Sequence, residues 1–377
     1  MIRRLLLAAV VLAVAPFAVS AQTIETQARQ AFIVDYKTGV ILLEKNADEL
    51  MPPSSMSKMM TAHMLFEKIA KGEVQLTDEF PVSERAWRIQ GSKMFVPLGA
   101  RVKVEDLIRC IVIQSGNDAC VVVAEGLAGS EEAFAEQMTK KGREIGLQKT
   151  VFKNASGWPH PEHLTTAREL AVIAKHTIEA FPDFYRYYAE LNFTFNGIKQ
   201  GNRNPLLYKP IGADGLKTGH TEAAGYGLTA SVKRGDRRIV MVLNGLPSTK
   251  ARSQESENLI EWAFREFENY TLFRTGEAAQ TAAVWLGESK TVPLVAGDNL
   301  VVTLPRKARQ GMKVTAVYRE PIAAPIKKGR PVGKLVVTAP GVPARELPLI
   351  AGEDVAQLGP AGRLGAAVSY LIFGAQK

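Results

Sequence analysis

Cysteine is nearly absent: the 377 residues hold two, Cys110 and Cys120. One bridge at most excludes a disulfide-built scaffold, so an ordinary apolar core must hold the chain. Both cysteines lie in apolar, helix-like stretches on either side of Gln114-Ser115-Gly116-Asn117. In an oxidising compartment they can pair, and they read equally well as two small buried hydrophobes. Histidine is scarce too, with five in all. His160 and His163 flank Glu162, but Pro159 and Pro161 break any helix there and no third ligand stands nearby, so no metal is expected. No cofactor is expected either. Gly329-Arg330-Pro331-Val332-Gly333-Lys334 lacks the spacing and the Ser/Thr of a phosphate loop.

Long apolar runs are missing beyond the first residues, which excludes a multi-span membrane protein. Acid is outnumbered, with 38 Asp and Glu against 47 Lys and Arg, for a net charge of +9. At 46% hydrophobic and 23% charged the composition excludes disorder. The length admits two domains.

The N-terminus is the exception. Arg3 and Arg4 precede an apolar run from Leu5 to Val19 that ends in Val19-Ser20-Ala21. This is the pattern of a secretory signal peptide over residues 1–21, whose loss takes away Arg3 and Arg4 and leaves a charge of +7. In an exported protein a basic balance points to anionic lipid or cell-wall polymer rather than nucleic acid.

Residues 31–34 and 40–43 read as two strands joined by a turn containing Lys37-Thr38-Gly39. Met51-Pro52-Pro53 breaks the chain, and a helix is expected from about Ser55 to Ala70, closed at Lys71-Gly72. Helical patterns follow over residues 104–127, interrupted at Ser115-Gly116-Asn117, and over 131–145. Thr166 and Glu169 form a capping box for another. Residues 225–232 and 238–243 read as a hairpin around Lys233-Arg234-Gly235-Asp236. A helix over 253–268 carries Leu259, Trp262, Ala263, Phe264 and Phe267 at packing spacing. Beyond about 276 come short β-branched runs separated by Gly, Pro and charge, the pattern of a small all-β domain to about 358. A last helix over 359–377 carries Leu364, Ala367, Val368, Leu371 and Ile372 on one side. It is suited to lying in a membrane interface or to docking on the β domain.

Ser55-Met56-Ser57-Lys58 places a serine in the first helical turn and a lysine one turn later on the same face. A serine hydroxyl needs a base to take its proton, and a lysine serves only when burial or another cation destabilises its ammonium. Ser115-Gly116-Asn117 offers a hydroxyl for proton relay and a carboxamide able to hold both a substrate amide and the lysine. Lys-Thr-Gly occurs twice; the copy at 37–39 belongs to a turn. Lys217-Thr218-Gly219 leads into His220-Thr221 and a strand, where a cation and a hydroxyl can meet a substrate carboxylate. Gly219 would let the substrate approach the strand edge, and Lys217 near Lys58 would depress the latter's proton affinity.

Each motif alone is common. Ser-x-x-Lys, Ser-Gly-Asn and Lys-Thr-Gly in that order resemble the signature of penicillin-binding proteins and serine β-lactamases. The surrounding residues 51–61, 114–119, 201–207 and 214–221, and the β domain with Ala324-Pro325, resemble the low-molecular-mass D-alanyl-D-alanine carboxypeptidases over essentially the whole mature chain. The resemblance implies an α/β (α+β) transpeptidase-like domain over 22–275, with an antiparallel sheet flanked by helices, then a sandwich-like β domain over 276–358. It also implies an amphipathic C-terminal helix as anchor. By position, Ser55 would be acylated by the D-Ala-D-Ala end of a peptidoglycan pentapeptide, with β-lactam antibiotics as covalent inhibitors. Lys58 would be the base, Ser115 would assist proton transfer, and Asn117 would bind the substrate amide. Lys217, Thr218 and Arg203 would hold the terminal carboxylate, with Gly219 beside it. The backbone N–H groups of Ser55 and His220 would form the oxyanion hole.

Two rivals stand beside this expectation. A class A β-lactamase requires a Glu between the second and third motifs, and no Glu-x-x-x-Asn loop is evident there. A non-catalytic β-lactam or wall binder would have no need of a base beside its serine.

Overall fold

The computed structural model describes residues 24–340 and 342–373. The expected signal peptide over 1–21 lies outside the described residues. Contacts divide the chain into two units, the first over Ile24–Glu266 and the second from Phe267 onward.

The first unit is built on a five-stranded antiparallel sheet with spatial order Ile41–Lys45, Gln30–Asp35, Arg237–Leu246, Gly225–Arg234, Ala213–Thr221. Ile33 pairs with Met241 and Val34 with Val240. Side chains alternate across a sheet. Phe32, Val34, Val240 and Val242 therefore share one face, inside the large core that includes Met59, Met60, Leu65 and Phe66. The alternate residues Ile33, Met241 and Leu243 point to the other face and are just as buried. The Thr249–Glu266 helix covers strands Gly225–Arg234 and Arg237–Leu246, and the Ala167–Ala180 helix packs on Gln30–Asp35 and Arg237–Leu246. Burial on both faces explains why these strands read as continuous apolar runs.

The motif-bearing helices form where expected, with informative differences. Ser54–Ser57 is a 3-10 turn that feeds the α-helix Lys58–Ala70. The helix ends as Gly72, at φ 72°, donates its N–H to the Ile69 carbonyl. Over 104–128 the chain runs as helix Val104–Arg109, a π turn at Cys110–Gln114, Ser115 in the left-handed region at φ 67°, and helix Asn117–Ala128. Only half of the expected capping box forms. Thr166 Oγ1 accepts from the Glu169 N–H, but the Glu169 carboxylate turns away and accepts the N–H groups of Gln148, Lys149 and Thr150.

The second unit begins at Phe267, nine residues ahead of the composition change at 276, because Phe267–Phe273 is already a strand paired with Leu300–Pro305. Phe267 thus leaves the helix expected over 253–268, which stops at Glu266. A six-stranded sheet completes the unit, in the order Lys313–Tyr318, Pro331–Ala339, Val342–Ala351, Thr291–Ala296, Ala278–Trp285, Ile322–Ala323. Its core gathers Val292, Leu294, Leu300, Val302, Leu335 and Leu349. The closing helix spans Pro360–Phe373.

Candidate active site

Ser55 is half-buried in the 3-10 turn, and Lys58 one turn on is wholly buried. The Lys58 ammonium donates to Ser55 Oγ at 2.9 Å, to Asn117 Oδ1 at 2.8 Å and to the Ser156 carbonyl at 2.5 Å. No carboxylate pairs with it among the described residues. Burial lowers its proton affinity below the ordinary lysine range, and the Arg203 charge adds to that. The serine hydroxyl and the lysine ammonium are thus in direct contact.

Asn117 is reached because the π turn and the left-handed Ser115 restart the helix at this residue. Its Nδ2 donates to the Gln90 carbonyl at 2.7 Å and its backbone N–H to the Ser92 carbonyl at 2.7 Å. The carboxamide therefore holds the lysine with its oxygen and the 90–92 segment with its nitrogen. Gly91 must be glycine: at φ 86°, a Cβ would lie 2.7 Å from Asn117 Nδ2. Ser115 Oγ is buried with no hydrogen-bond partner among the described residues, a hydroxyl able to take up or pass a proton. Ser54 and Ser115 are non-glycine residues at positive φ, 50° and 67°. Such strain costs about 1–3 kcal/mol per residue and concentrates at functional sites. Below the turn, Asp118 is fully buried and accepts the N–H groups of Met94 and Phe95, fixing the neighbouring wall.

Lys217 lies on the edge strand Ala213–Thr221, pairs in register with Thr229, and is buried. Its ammonium donates to the Thr218 carbonyl at 3.1 Å. Burial first, then the charges of Lys58 and Arg203, push its proton affinity far down. The Lys58 charge thus adds to the burial that lowers Lys217, whereas Lys58 itself is lowered by burial and by Arg203. Thr218 is buried beside it, while His220 is exposed and stacks on Tyr226 at 3.9 Å. Gly219 has a packing role as well. A Cβ there would lie 3.1 Å from the Pro53 carbonyl oxygen, Ser54 Cβ and Met56 Cγ, so its bareness lets the strand pack against the nucleophile's own turn. Ser54 Oγ and Thr221 Oγ1 meet across that contact at 3.3 Å.

Arg203 stands at the rim and donates to Ser92 Oγ at 2.6 Å. Asn202 and Asn204 are buried on either side, and Asn204 Nδ2 donates to the Gly215 carbonyl at 2.9 Å, tying this segment to the Lys217 strand.

Two contributors carried no sequence signal. The Ser156 carbonyl is a backbone atom, invisible to any motif. Arg252 lies on a polar helix, buried, and its charge reaches both Lys217 and Arg203. Cys110 and Cys120 are unbridged and buried, and Cys110 Sγ packs where a Cβ on Gly116 would sit. Burial pushes the Cys120 thiol up to about 12. His163 is buried edge-on to Phe152, and burial lowers it to about 4. No group of three or more metal-ligating side chains is present among the described residues.

A nucleophile, a buried lysine and a carboxamide in one hydrogen-bonded cluster, faced by a second lysine on an edge strand, can be compared with known proteins. Residues 16–247 match the family model described as D-alanyl-D-alanine carboxypeptidase, and residues 267–357 match that of the penicillin-binding protein 5 C-terminal domain. The chain belongs to the D-alanyl-D-alanine carboxypeptidase family. It is 38% identical over 362 residues to the D-alanyl-D-alanine carboxypeptidase DacC of Escherichia coli, covering 93% of this chain and 90% of that one. The crystal structure of penicillin-binding protein 5 from Haemophilus influenzae superimposes with a TM-score of 0.81 at 34% identity, covering 90% of this chain and 100% of that one. Penicillin-binding protein D2 from Listeria monocytogenes, solved in an ampicillin-bound form, matches at 26% identity with a TM-score of 0.59, covering 64% of this chain and 99% of that one. The fold is that of these serine-type carboxypeptidases.

Proposed function

We propose that this carboxypeptidase removes the terminal D-alanine from peptidoglycan pentapeptides through an acyl-enzyme on Ser55. The single observation that carries the reading is the Lys58 ammonium, buried without a carboxylate and bonded to both Ser55 Oγ and Asn117 Oδ1. Burial makes the neutral amine accessible. That amine takes the Ser55 proton as Oγ attacks the penultimate D-Ala carbonyl, and the oxyanion forms against the N–H groups of Ser55 and His220. The scissile C–N bond breaks as the departing amine gains a proton, for which the unpartnered Ser115 hydroxyl is the relay. Water, deprotonated by the same lysine, then releases the shortened peptide and regenerates Ser55.

Lys217, Thr218 and Arg203 hold the substrate carboxylate, and Arg252 joins them. None of these three cations has a carboxylate within ion-pair distance among the described residues, so the cluster is a positive site awaiting an anion. The Asn117 carboxamide presents its remaining N–H to the substrate amide. β-Lactams acylate Ser55 in the same way.

The enzyme works outside the cytoplasm, peripheral on the membrane. Leu364 and Val368 on the closing helix are 69% and 48% exposed, an apolar surface suited to an interface. No described helix is long and apolar enough to cross a bilayer.

Labelled penicillin and a D-Ala-D-Ala pentapeptide, presented to wild type and to Ser55→Ala, test the reading. A stable adduct together with D-alanine release, both lost in the variant, is expected. Rapid drug hydrolysis points instead to a β-lactamase, and no adduct at all removes the serine mechanism.

A further inference from the structure

The Ser156 carbonyl holds the base, and something must hold that carbonyl. The loop carrying it contains Gly157 at φ 79°, whose Cβ would lie 1.9 Å from the Ser54 carbonyl oxygen. Asn154 Oδ1 sits inside the loop and accepts the N–H groups of Ser156 at 3.2 Å, Gly157 at 2.8 Å and Trp158 at 3.0 Å. Its Nδ2 donates to the Trp158 carbonyl at 2.9 Å. The Gly157 N–H and the Ser156 carbonyl belong to one peptide unit and point opposite ways in a trans peptide. One end of that plane is therefore held by Asn154 and the other faces Lys58. The two preceding peptides are fixed as well: the Ala155 N–H donates to Glu131 Oε1 at 3.0 Å, and the Ala155 carbonyl accepts from Thr61 Oγ1 at 2.6 Å, on the helix that carries Lys58.

The chemistry of the acceptors matters. A carbonyl oxygen and a carboxamide oxygen accept hydrogen bonds and cannot donate. A neutral lysine has two N–H groups and one lone pair. When Ser156 O and Asn117 Oδ1 take the two N–H groups, the lone pair is left facing Ser55 Oγ. A lysine bonded to only one of them can rotate its lone pair away from the serine.

We infer that Asn154 is a positioning residue for acylation, holding the Ser156 carbonyl so that the Lys58 lone pair is aimed at Ser55. This rests on Lys58 acting as the base. The carbonyl also favours the ammonium form, because a hydrogen bond from a charged donor is stronger than one from a neutral amine. Losing it lowers the Lys58 proton affinity.

The test is the rate constant of acylation by labelled penicillin, separated from non-covalent binding and followed against pH in the full mature chain. Asn154→Ala is expected to slow acylation roughly ten- to a hundredfold with binding before acylation unchanged. Its acid limb moves to lower pH. Asn154→Asp, which keeps the acceptor oxygen, recovers most of the plateau rate. Asn154→Ser, with a shorter reach, gives an intermediate loss and keeps the test open should the alanine variant fail to fold. A rate equal to wild type overturns the inference, and so does a loss whose acid limb stays in place or moves up. An absent adduct on wild type would count against the proposed function itself. Normal wild-type acylation with indifferent variants counts against Asn154 alone.

Discussion

Lys217 donates to one backbone oxygen, whereas Lys58 donates to three acceptors, although both ammonium groups are buried. The difference fits the two proposed roles, a cation that binds a ligand and a base that takes a proton. It also has a consequence for stability. Taking a charge out of water costs several kcal/mol unless partners compensate it, so an apolar side chain of similar length removes that penalty. Lys217→Met is therefore expected to raise the thermal midpoint by a few degrees while abolishing D-alanine release. The folded-state proton affinity of Lys217 is depressed, so the unfolded chain binds more protons between the depressed and ordinary lysine values. Wild-type stability rises with pH through that window, and the advantage of the variant shrinks. Thermal melts of both proteins across the alkaline range check this; a variant less stable than wild type at neutral pH refutes it.

The same logic sets the pH dependence of acylation. Burial lowers the proton affinity of Lys58, and in the proposed mechanism the neutral amine is the reactive form. Acylation should climb with pH and reach its plateau below the range in which an ordinary lysine titrates. Trapping of labelled penicillin by wild type at a series of pH values measures the limb. A limb in the ordinary lysine range would mean that the burial of Lys58 is not felt in the reaction.

Ser55, Lys58, Ser115, Asn117 and Lys217 stood out in the sequence as candidates because each is a side chain in a short motif beside a break or a strand. The groups that complete their surroundings were not. Ser156 acts through a carbonyl, and Gln90 and Ser92 through carbonyls that any residue supplies. Arg252 is one arginine among the charges of a polar helix, separated by 35 positions from Lys217. The packing of Gly219 on the 53–56 turn was not legible, since a sequence cannot say which side of a strand is crowded. In the fold, Phe267 matched the helical spacing of Trp262 and Phe264, and only its pairing with Pro305 moves it into a strand. The strands after residue 276 were legible as short β-branched runs set off by Gly, Pro and charge.

Arg252 can be told from a purely structural arginine by its substrate preference. Arg252→Ala removes one of the cations proposed to hold the substrate carboxylate, and a charge-assisted hydrogen bond is worth about 1.5–3 kcal/mol. KM for a D-Ala-D-Ala peptide is expected to rise roughly ten- to a hundredfold, with kcat changed little. An equal loss for a substrate whose terminal carboxylate is amidated would show that the arginine does not act through the carboxylate.

Gly157→Ala addresses the close approach of the 154–158 loop to the nucleophile turn. The added methyl would meet the Ser54 carbonyl carbon at 2.4 Å and Ser57 Oγ at 2.6 Å, at a φ of 79° that disfavours any side chain. Because these neighbours belong to the turn bearing Ser55, the loop and the turn must part. The variant should lose most of its acylation rate and several degrees of thermal midpoint. Retention of both would mean that the contact is far looser than the packing indicates.

The closing helix, Pro360–Phe373, bears exposed Leu364 and Val368 with Arg363 also exposed. An apolar stripe with a cation beside it gains by inserting the stripe and leaving the charge at anionic headgroups. Deleting residues 360–377 from the mature chain should abolish sedimentation with phosphatidylglycerol vesicles and leave D-alanine release from a soluble pentapeptide intact. Retained sedimentation would locate membrane attachment elsewhere on the protein, and lost activity would give the helix a role in the catalytic unit. The comparison is sharpest at raised salt, where the charge contribution fades and the apolar one remains. If binding survives salt in the longer protein alone, Leu364 and Val368 rather than Arg363 carry the attachment.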